Sequence, residues 1–365
     1  MRIRSSFVLA IAFASTASFF AGCGGDSGGG GPIGPPVDTT PTTGYKNPVL
    51  DRDFPDPSAI RVGKTWWAYG TQTFLGNGVK INIQSAKSTD LVNWTYTDDV
   101  LPVRPTWSTQ TWNFWAPHVI YAADQSKYIM YFSADADTSG MCIGVATSDV
   151  PEGPFTDVGS PLACSNDVWH IDPMEFDDPA SGKHYLYWGS NFKPIAVQEL
   201  DETRMHFVTG SQPANVITTS STAPYEQLVE GPWVIKRGDY YYLFYSGNNC
   251  CTPGSLHYAV MVARSSSPTG PFQKLGDALG TGNSTILTGD DKWIAPGHNA
   301  IVTDDAGADW ILYHAVDPNK PLLSDGASIR RPLLIDRITY DANGWPTVAG
   351  GHPSHGGATP PTITP

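Results

Sequence analysis

Charged residues are scarce in this 365-residue sequence. Asp, Glu, Lys and Arg make up 16% of it, well below the roughly 25% of an average soluble domain. Acidic residues outnumber basic ones 35 to 22, which gives a net charge of −13, and no basic cluster is larger than Arg330-Arg331. Nucleic-acid binding needs a concentrated positive surface. The composition therefore excludes a nucleic-acid-binding protein.

Long hydrophobic runs and helical periodicity are also missing. The apolar run at residues 7–21 is too short to span a bilayer as a mature helix. Between Tyr45 and Ala349, apolar residues form short runs rich in Tyr, Trp, Val and Ile, without the repeat of an amphipathic helix. Because 37 Gly and 31 Pro residues add frequent turns, the sequence predicts an all-β protein.

The first residues have the form of an export signal. Arg2 and Arg4 precede the apolar run, which ends in Phe20-Ala21-Gly22-Cys23. This ending resembles the bacterial lipoprotein signal, in which the cysteine is lipidated and becomes the new N-terminus; ordinary cleavage that leaves a free thiol is the alternative. The resemblance predicts a signal peptide at 1–22 and an exported bacterial protein that contacts membrane only through a lipid on Cys23. It would be anchored at the outer membrane or cell surface, or else be periplasmic or secreted.

Two segments have the composition of unpacked chain. Residues 23–44 are rich in Gly, Pro, Thr and Ser, which cannot form a core, and they are predicted to be a disordered tether. Residues 350–365 are predicted to be a disordered tail for the same reason. Residues 45–349 remain as one folded domain.

Cysteines are few, and none has the C-x-x-C or Cys/His spacing of a zinc site. With Cys23 set aside, the other four can pair in three ways in an oxidising compartment: Cys142, Cys164, Cys250 and Cys251. The adjacent Cys250 and Cys251 could form a vicinal bridge, but two buried thiols fit the sequence equally well.

A repeat of about sixty residues divides the predicted domain. Five segments share one plan: a polar residue beside Pro or Gly, a short apolar strand, a Gly/Asp turn and an aromatic strand. They read FPDPSAIRVGKTWWAYGT, FWAPHVIYAADQSKYIMYFS, HIDPMEFDDPASGKHYLYWGS, VEGPWVIKRGDYYYLFYSG and APGHNAIVTDDAGADWILYHA. Their anchor residues, 61, 55, 58 and 68 positions apart, are Asp56, Pro117, Asp172, Glu230 and His298.

A second repeat follows the first and gives the number of strands in each unit. QSAKSTDLVNW, GVATSDVPEGPF and MVARSSSPTGPF align at Ala86, Ala146 and Ala263, one period and about two periods apart. Each unit therefore contains two hairpins, or four strands. Five such units arranged radially form a five-bladed β-propeller in a single domain. Tandem β-sandwiches are the alternative, but each usually needs about 100 residues.

The repeat brings polar residues toward the propeller axis. The first strand of each blade lines the central channel, so Asp56, Asp172 and Glu230 are predicted to face one another there, with His118 and His298 nearby. Each Asp-Pro or Glu-Gly pair alone could simply cap a turn. Three acids brought together raise one another's pKa, a cost that indicates a chemical function. A metal site with Asp and His ligands is the rival interpretation.

The motifs around these anchors occur in a known order. They resemble, across the whole propeller, the signature sites of glycoside hydrolase family 43. The matching motifs are PDPS at Pro55–Ser58, IDP at Ile171–Pro173, EGP at Glu230–Pro232 and PGHN at Pro296–Asn299. The resemblance implies a five-bladed fold and hydrolysis with inversion at the anomeric carbon.

The same resemblance implies a role for each carboxylate. Asp56 corresponds to the general base, Glu230 to the general acid, and Asp172 to the residue that orients the acid and tunes its pKa. An inverting glycosidase needs such an acid and base about 6.5–9.5 Å apart, on opposite faces of the sugar. Opposite walls of a propeller channel supply such a gap.

Further site residues are expected around these three. By the resemblance, Arg331 corresponds to the family's substrate-contacting arginine and His298 to a position associated with a calcium or sodium ion in the channel. No cofactor is required for the chemistry, so such an ion would be structural. Because sugars stack on aromatic faces, the aromatic residues that flank the anchors are predicted to contact substrate: Phe114, Trp115, Trp169 and Trp188.

Arabinofuranosides and xylosides are the main substrates that the resemblance implies. Two features favour arabinose: the chain ends soon after the fifth blade, without the extra β-sandwich of many β-xylosidases, and YLFYSGNNCCTPGSLHYAVMVARS resembles the corresponding stretch of arabinan-degrading members. The expected protein is an α-L-arabinofuranosidase or arabinanase, acting as a monomer on arabinan, arabinoxylan or their oligosaccharides in plant cell walls. The alternatives are a β-xylosidase and a non-catalytic carbohydrate-binding propeller, which would have no reason to keep all three carboxylates.

Overall fold

The computed structural model describes residues 44–75, 78–110 and 112–364. The predicted signal peptide, Cys23 and all but the last residue of the predicted tether lie outside these ranges. Strands make up nearly all the regular structure of the described chain, which also has one short helix, α1, at Leu275–Leu279 and a 3-10 turn at Ala349–Gly351. In this part of the chain no helix is long and apolar enough to cross a membrane.

Five antiparallel sheets follow one another along the chain as the blades of a propeller. Blade 1 contains β1 (Ser58–Val62), β2 (Thr65–Gly70), β5 (Gln84–Ser88) and β6 (Thr95–Asp99), with the small hairpin β3 (Thr73–Phe74) and β4 (Lys80–Ile81) inserted between β2 and β5. Blade 2 contains β7 (Phe114–Ala122), β8 (Lys127–Ala136), β9 (Gly140–Ser148), β10 (Thr156–Asp157) and β11 (Ala163–Cys164). Blade 3 contains β12 (Met174–Asp177), β13 (His184–Trp188), β14 (Ile195–Leu200) and β15 (Ala214–Ile217).

The last two blades have the same plan. Blade 4 contains β16 (Val229–Arg237), β17 (Tyr240–Asn249), β18 (His257–Ser265), β19 (Gln273–Lys274) and β20 (Thr285–Leu287). Blade 5 contains β21 (Ile294–Thr303), β22 (Asp309–Val316), β23 (Leu333–Tyr340) and β24 (Pro346–Val348). The all-β, five-bladed propeller predicted from the repeat is confirmed.

Both sequence repeats correspond to defined parts of a blade. The five aromatic-rich segments are the hairpins formed by the first two strands, as in β1–β2, and the second repeat joins the third strand to the fourth, as in β5–β6. The second strands are buried over most of their length; in β8, every residue from Tyr128 to Ala134 is buried. Because each blade packs against two neighbours, these strands have continuous apolar sequences instead of a polar–apolar alternation.

The segment before blade 1 closes the ring. Tyr45 pairs with Ala358, and the Tyr45 hydroxyl donates to the Ile335 carbonyl at 3.0 Å. The buried side chain of Asn47 donates to the Ile335 carbonyl and accepts from the Ile335 N–H, both at 3.0 Å. All four strands of blade 5 come from the C-terminal part of the chain. The first and last blades are therefore joined by these hydrogen bonds and not by an exchanged strand.

The prediction of a disordered tail is wrong for residues 350–364. The Ser354 N–H donates to Asp336 at 3.2 Å, and the Thr362 N–H donates to the buried carboxylate of Asp304 at 2.9 Å. Composition misled here because the tail is ordered by acceptors in blade 5 and by Ala358 and Ile363, which pack against the hydrophobic core. The folded unit therefore continues to the end of the described chain and does not stop at residue 349.

Two disulfides settle the cysteine pairing that the sequence left open. Cys142 in β9 is bonded to Cys164 in β11, the neighbouring strand of blade 2. Cys250 is bonded to the adjacent Cys251. The second bridge lies in the connection between β17 and β18.

Candidate active site

The three predicted carboxylates converge at the propeller axis. Asp56 of blade 1, Asp172 of blade 3 and Glu230 of blade 4 line one cavity of about 400 Å³, together with His298 and Arg331. We call this space the central cavity. Residues more than 100 positions apart in the sequence thus share one pocket, as the repeat predicts.

An unusual backbone conformation presents these side chains. In or just before the first strand of each blade, a residue has a left-handed φ between +46° and +59°: Asp56, Ala116, Asp172, Gly231 and His298. In blade 5, Ala295 has a second such angle. Residues other than glycine rarely adopt such angles, and they persist only where the surrounding structure holds them, most often at functional sites. The fold therefore repeats a left-handed turn in every blade at the point where the chain meets the axis, and four of the five blades place a residue other than glycine there.

Hydrogen bonds from the preceding blade hold four of these turns. The acceptor is a side chain in or just after the second strand, and the donor is the main-chain N–H of the left-handed residue in the next blade. The pairs are Thr71 with Ala116 at 2.7 Å, Ser133 with Asp172 at 3.0 Å, Ser246 with His298 at 2.8 Å and His314 with Asp56 at 3.2 Å. Between blades 3 and 4 the Ser190 hydroxyl instead donates to the Glu230 carboxylate at 2.6 Å. The four hydroxyl residues, Thr71, Ser133, Ser190 and Ser246, were not predicted from the sequence, although each stands at or next to the end of a repeat segment.

The Asp56 carboxylate is held in its ionised form. Its Oδ2 accepts a hydrogen bond from the Thr71 hydroxyl at 2.6 Å, and its Oδ1 accepts one from Arg331 Nη1 at 2.8 Å. Burial alone would raise the pKa of Asp56, but Arg331, with His298 and His314, holds that pKa well below its usual range. Asp56 is therefore an anion at neutral pH, which is the state that a general base needs.

Glu230 is held in the opposite state. Burial raises the pKa of Glu230, and the nearby charge of Asp56 raises it further. Hydrogen bonds from the Ser190 hydroxyl to Oε2 at 2.6 Å and from the Tyr258 hydroxyl to Oε1 at 2.8 Å oppose this rise but do not reverse it. A raised pKa keeps a proton available for donation, as a general acid requires.

Asp172 interacts with the acid, Glu230, both through the main chain and through charge. Its Oδ2 accepts the main-chain N–H of Gly231, the residue after Glu230, at 3.0 Å. Burial and then the charges of Glu230 and Asp56 raise the pKa of Asp172 well above its usual value. Because two neighbouring buried carboxyls do not both ionise readily, Asp172 and Glu230 titrate as a pair.

Two glycines make room for the groups around the acid. A Cβ atom on Gly231 would lie 3.3 Å from the His298 ring, and one on Gly297 would lie 2.2 Å from the Tyr258 ring. The 2.2 Å distance from a Gly297 Cβ to the Tyr258 ring is shorter than real Cβ contacts in proteins. Gly297, within the PGHN motif, is therefore required if Tyr258 is to reach Glu230.

The predicted substrate-contacting aromatic residues do not all reach the cavity. Trp115 lines it. Phe114 and Trp188 are 0% and 1% exposed, so they belong to the core and the prediction that they contact substrate is wrong. Trp169 packs against Trp188, donates through Nε1 to the Pro194 carbonyl at 2.9 Å and is not part of the cavity lining.

A small space in the channel adjoins the central cavity. Its volume is about 10 Å³, and its lining includes Asp56, His118, Asp172, His298 and Asn299. The side-chain oxygen and nitrogen of Asn299 are buried without a partner among the described residues. Burial lowers the pKa of His118 to about 4 and lowers that of His298, so both imidazoles are neutral. Neutral imidazoles and carboxyl oxygens around a space of this size suit about one water or one ion.

Elsewhere in the described chain, one cluster has the composition of a metal site. Glu175, Asp177 and His184 place potential ligand atoms within 4.8 Å of one another. Arg204 already donates to Asp177 at 2.9 Å and to Asp124 at 2.9 Å. A cation bound there would face this guanidinium, so the cluster is an internal ion-pair network.

Comparison with known proteins gives consistent results. A family model for glycosyl hydrolases family 43 matches residues 45–346. The chain is 30% identical over 320 residues to the extracellular exo-alpha-(1->5)-L-arabinofuranosidase ArbA of Cellvibrio japonicus (strain Ueda107), which covers 81% of this chain and 86% of the relative. It is 31% identical over 326 residues to the beta-D-galactofuranosidase xynD of Aspergillus niger (strain ATCC MYA-4892 / CBS 513.88 / FGSC A1513), covering 84% and 85% of the two chains.

A solved structure has the same architecture. The alpha-L-arabinanase of Cellvibrio cellulosa, in complex with arabinohexaose, superposes with a TM-score of 0.65 and 25% sequence identity. The match covers 81% of this chain and 95% of that one. The structural similarity therefore extends over most of this chain.

Proposed function

Because the chain belongs to glycosyl hydrolase family 43, we propose that it hydrolyses α-L-arabinofuranosidic linkages in plant cell-wall arabinan or arabinose side chains, with inversion at the anomeric carbon. One observation carries the proposal: a single cavity contains an ionised carboxylate, Asp56, and a carboxyl whose pKa burial raises, Glu230. The similarity to an arabinofuranosidase and to an arabinanase bound to arabinohexaose supports arabinofuranose as the sugar.

The proposed reaction uses the two carboxyls on opposite sides of the sugar. The Asp56 carboxylate takes a proton from a water molecule as the water oxygen bonds to the anomeric carbon. Glu230 gives its proton to the glycosidic oxygen as the bond from that oxygen to the anomeric carbon breaks. The products are a free sugar of inverted configuration and an alcohol, and a proton exchange with solvent restores both carboxyls.

Neighbouring side chains prepare this proton transfer. Arg331 keeps Asp56 ionised, and the hydroxyls of Ser190 and Tyr258 fix both oxygens of Glu230. Asp172 holds the main chain beside the acid through the Gly231 N–H. In this scheme Asp172 acts by positioning the acid and by sharing its proton equilibrium, as the sequence motif implies.

The identity of the sugar is tested with a panel of substrates. We expect the highest kcat/KM on nitrophenyl α-L-arabinofuranoside and linear arabinan, and little hydrolysis of nitrophenyl β-D-xylopyranoside. Nitrophenyl β-D-galactofuranoside belongs in the panel because one relative is named for that furanoside. A preference for the xyloside would identify the alternative, a β-xylosidase, and overturn the arabinose assignment.

The residue roles are tested by substitution. Asp56→Asn and Glu230→Gln should each lower kcat on arabinan by about 10²–10⁴-fold, the typical contribution of general acid–base catalysis, while thermal unfolding shows that the fold is retained. Asp149→Asn is the matched control, since this exposed carboxylate pairs only with Lys127 on the surface. Parent-like hydrolysis by either cavity variant contradicts the assigned roles.

We also propose that the small channel space binds one calcium or sodium ion through His298, with a structural function. The support is the neutral imidazole of His298 and the unpartnered side chain of Asn299 beside it. Treatment with a chelator should lower the midpoint of thermal unfolding, and added calcium should restore it, with kcat within about twofold of the parent at saturating substrate, since the reaction uses only carboxyls. An unchanged midpoint contradicts a bound calcium ion.

Export and lipid attachment at Cys23 form a separate proposal. The support is the signal-like sequence that precedes Cys23 and the description of a relative as extracellular. Labelled palmitate should be incorporated by the parent and not by Cys23→Ser, which should also leave the membrane fraction. Incorporation that persists in the variant contradicts this attachment site.

A further inference from the structure

A second large cavity lies at the boundary between blades 3 and 4. Its volume is about 430 Å³, and its lining residues are Phe192, Leu228, Asn248, Asn249 and His257. We call it the rim cavity. None of these five residues has a part in the reaction described above.

Each chain segment that carries Glu230 or one of its two hydrogen-bond donors also contributes a residue to the lining of the rim cavity. Leu228 stands two residues before Glu230 in the chain, and its carbonyl accepts the Asn248 N–H at 3.1 Å. Phe192 stands two residues after Ser190, and His257 directly precedes Tyr258. Three residues of the rim cavity therefore stand within two positions of Glu230 or of one of its hydrogen-bond donors, and a fourth, Asn249, directly precedes Cys250 of the central cavity.

A different cavity lies beside the base, Asp56. A cavity of about 190 Å³ is lined by Thr71 and Arg331, the two hydrogen-bond donors of Asp56, and by Phe74 and Trp112. Most of this lining belongs to blades 1, 2 and 5. In a ring of five, blade 1 lies opposite the boundary between blades 3 and 4. In the blade plan this space and the rim cavity thus lie on opposite sides of the axis, one beside the base and the other beside the acid.

The direction of the reaction assigns a role to the cavity on the acid's side. The general acid protonates the oxygen of the departing group, so the departing group lies on the side of Glu230 and the attacking water on the side of Asp56. We infer that the rim cavity binds the sugar residues of the leaving chain, and that Phe192 and His257 are specificity-determining residues for polymeric substrate. This inference rests on the proposed function.

The chemistry of the rim cavity suits a neutral sugar ring. The Phe192 side chain is 68% exposed and has a left-handed φ of +60°. The His257 ring stacks on Tyr225 with centroids 4.1 Å apart, and its Nδ1 lies 3.1 Å from Asn248 Nδ2. A sugar presents C–H groups on its faces and hydroxyls at its edge, which match aromatic faces and amide groups respectively. None of the five lining residues is Asp, Glu, Lys or Arg, which suits a neutral sugar.

Backbone strain supports a function for this surface. Phe192, Tyr225 and Asn248 all have φ between +60° and +69°. Such conformations are costly for residues with side chains and concentrate at binding and catalytic sites. A large aromatic side chain held in this way at an exposed position has no role in the core.

The test compares two substrates that differ in leaving group. The readout is the ratio of kcat/KM for a linear α-1,5-arabino-oligosaccharide of six units to kcat/KM for nitrophenyl α-L-arabinofuranoside. Phe192→Ala should lower this ratio about five- to tenfold, the effect of losing one stacking contact, mainly through a higher KM for the oligosaccharide. His257→Ala should lower the same ratio, and Phe192→Tyr should keep it.

A matched control separates this effect from a general loss of an exposed aromatic residue. Tyr121 in β7 of blade 2 is 48% exposed and is not part of the rim cavity lining, so Tyr121→Ala should leave the ratio at the parent value. An unchanged ratio in Phe192→Ala, or an equal fall on both substrates, overturns the inference. If the substrate panel reveals another sugar, the proposed function fails, and the same ratio measured with oligosaccharides of that sugar still tests the rim cavity.

Discussion

The hydroxyl of Tyr258 offers a direct test of how the acid is tuned. It donates to Glu230 Oε1 at 2.8 Å and so favours the ionised carboxylate, against burial, which raises the pKa of Glu230. Tyr258→Phe removes this donor and keeps the ring. We therefore expect the pKa of Glu230 to rise further in the variant.

The size of the shift follows from the strength of the bond. A hydrogen bond to a charged group contributes about 1.5–3 kcal/mol, and one pKa unit corresponds to about 1.4 kcal/mol. Part of that energy is also present when Glu230 is protonated, because the Tyr258 hydroxyl can bond to the neutral carboxyl. A net rise of about one pKa unit is therefore expected.

The assay is the pH dependence of kcat/KM on an arabino-oligosaccharide, whose leaving group needs the acid. Glu230 must be protonated to act, so activity is lost as the pH rises through its pKa. A higher pKa moves this basic limb to higher pH by about one unit, while the acidic limb, set by Asp56, stays in place. Ser190→Ala should move the basic limb in the same direction, because the Ser190 hydroxyl donates to Oε2 at 2.6 Å.

Tyr313→Phe is the matched control. It removes the same hydroxyl from another buried tyrosine, one that donates to Asp336 at 2.6 Å outside the central cavity. The control should lower stability without moving either limb of the pH profile. A basic limb that stays in place or moves to lower pH in Tyr258→Phe would refute this account of the acid.

Three further predictions concern the cation beside the base, an internal ion pair and a disulfide. Arg331→Met removes the cation that holds the pKa of Asp56 down, so the acidic limb of the pH profile should move to higher pH, and Arg331→Lys should move it less. Arg204→Met removes the cation beside the buried carboxyl of Glu175 and the half-exposed carboxylates of Asp124 and Asp177, so the free energy of unfolding in urea should fall by about 3 kcal/mol; a fall below 1 kcal/mol would contradict a role for this network in stability. Cys142→Ser opens a loop of 22 residues and should lower the free energy of unfolding by about 2–4 kcal/mol, with kcat unchanged because the bridge lies outside the central cavity; a lower kcat at a temperature where the variant is folded would contradict this.

Repetition made the fold and the catalytic carboxyls predictable from sequence. Each blade repeats its hairpins at nearly constant spacing, so the unit length and the strand count can be read without knowledge of the contacts. Asp56 and Asp172 stand at the same point of that repeat, whereas Glu230 stands one residue before the corresponding left-handed position, which Gly231 occupies. The three acids converge because they stand at nearly the same position of each repeat and because the five blades close into a ring.

Features that depend on side-chain environment could not be predicted in the same way. Phe114 and Trp115 are neighbours on one strand, and the pleat directs one into the core and the other toward the cavity. The donors to Glu230 come from two different strands, and no motif around Ser190 or Tyr258 relates them to the acid. The ordered tail escaped prediction because its partners, such as Asp304, lie elsewhere in the sequence.

The closing segment also determines when, during biosynthesis, the protein becomes active. Asn47 and Ile335, which are bonded across the junction of the ring, are 288 residues apart. Asp56 and Arg331 are separated by 275 residues. Both contacts form only after nearly all of the polypeptide has left the ribosome, even if the early blades acquire their strands during translation. We therefore expect a nascent or truncated chain that lacks blade 5 to be inactive on polysaccharide. Only a chain with the complete ring should hydrolyse it.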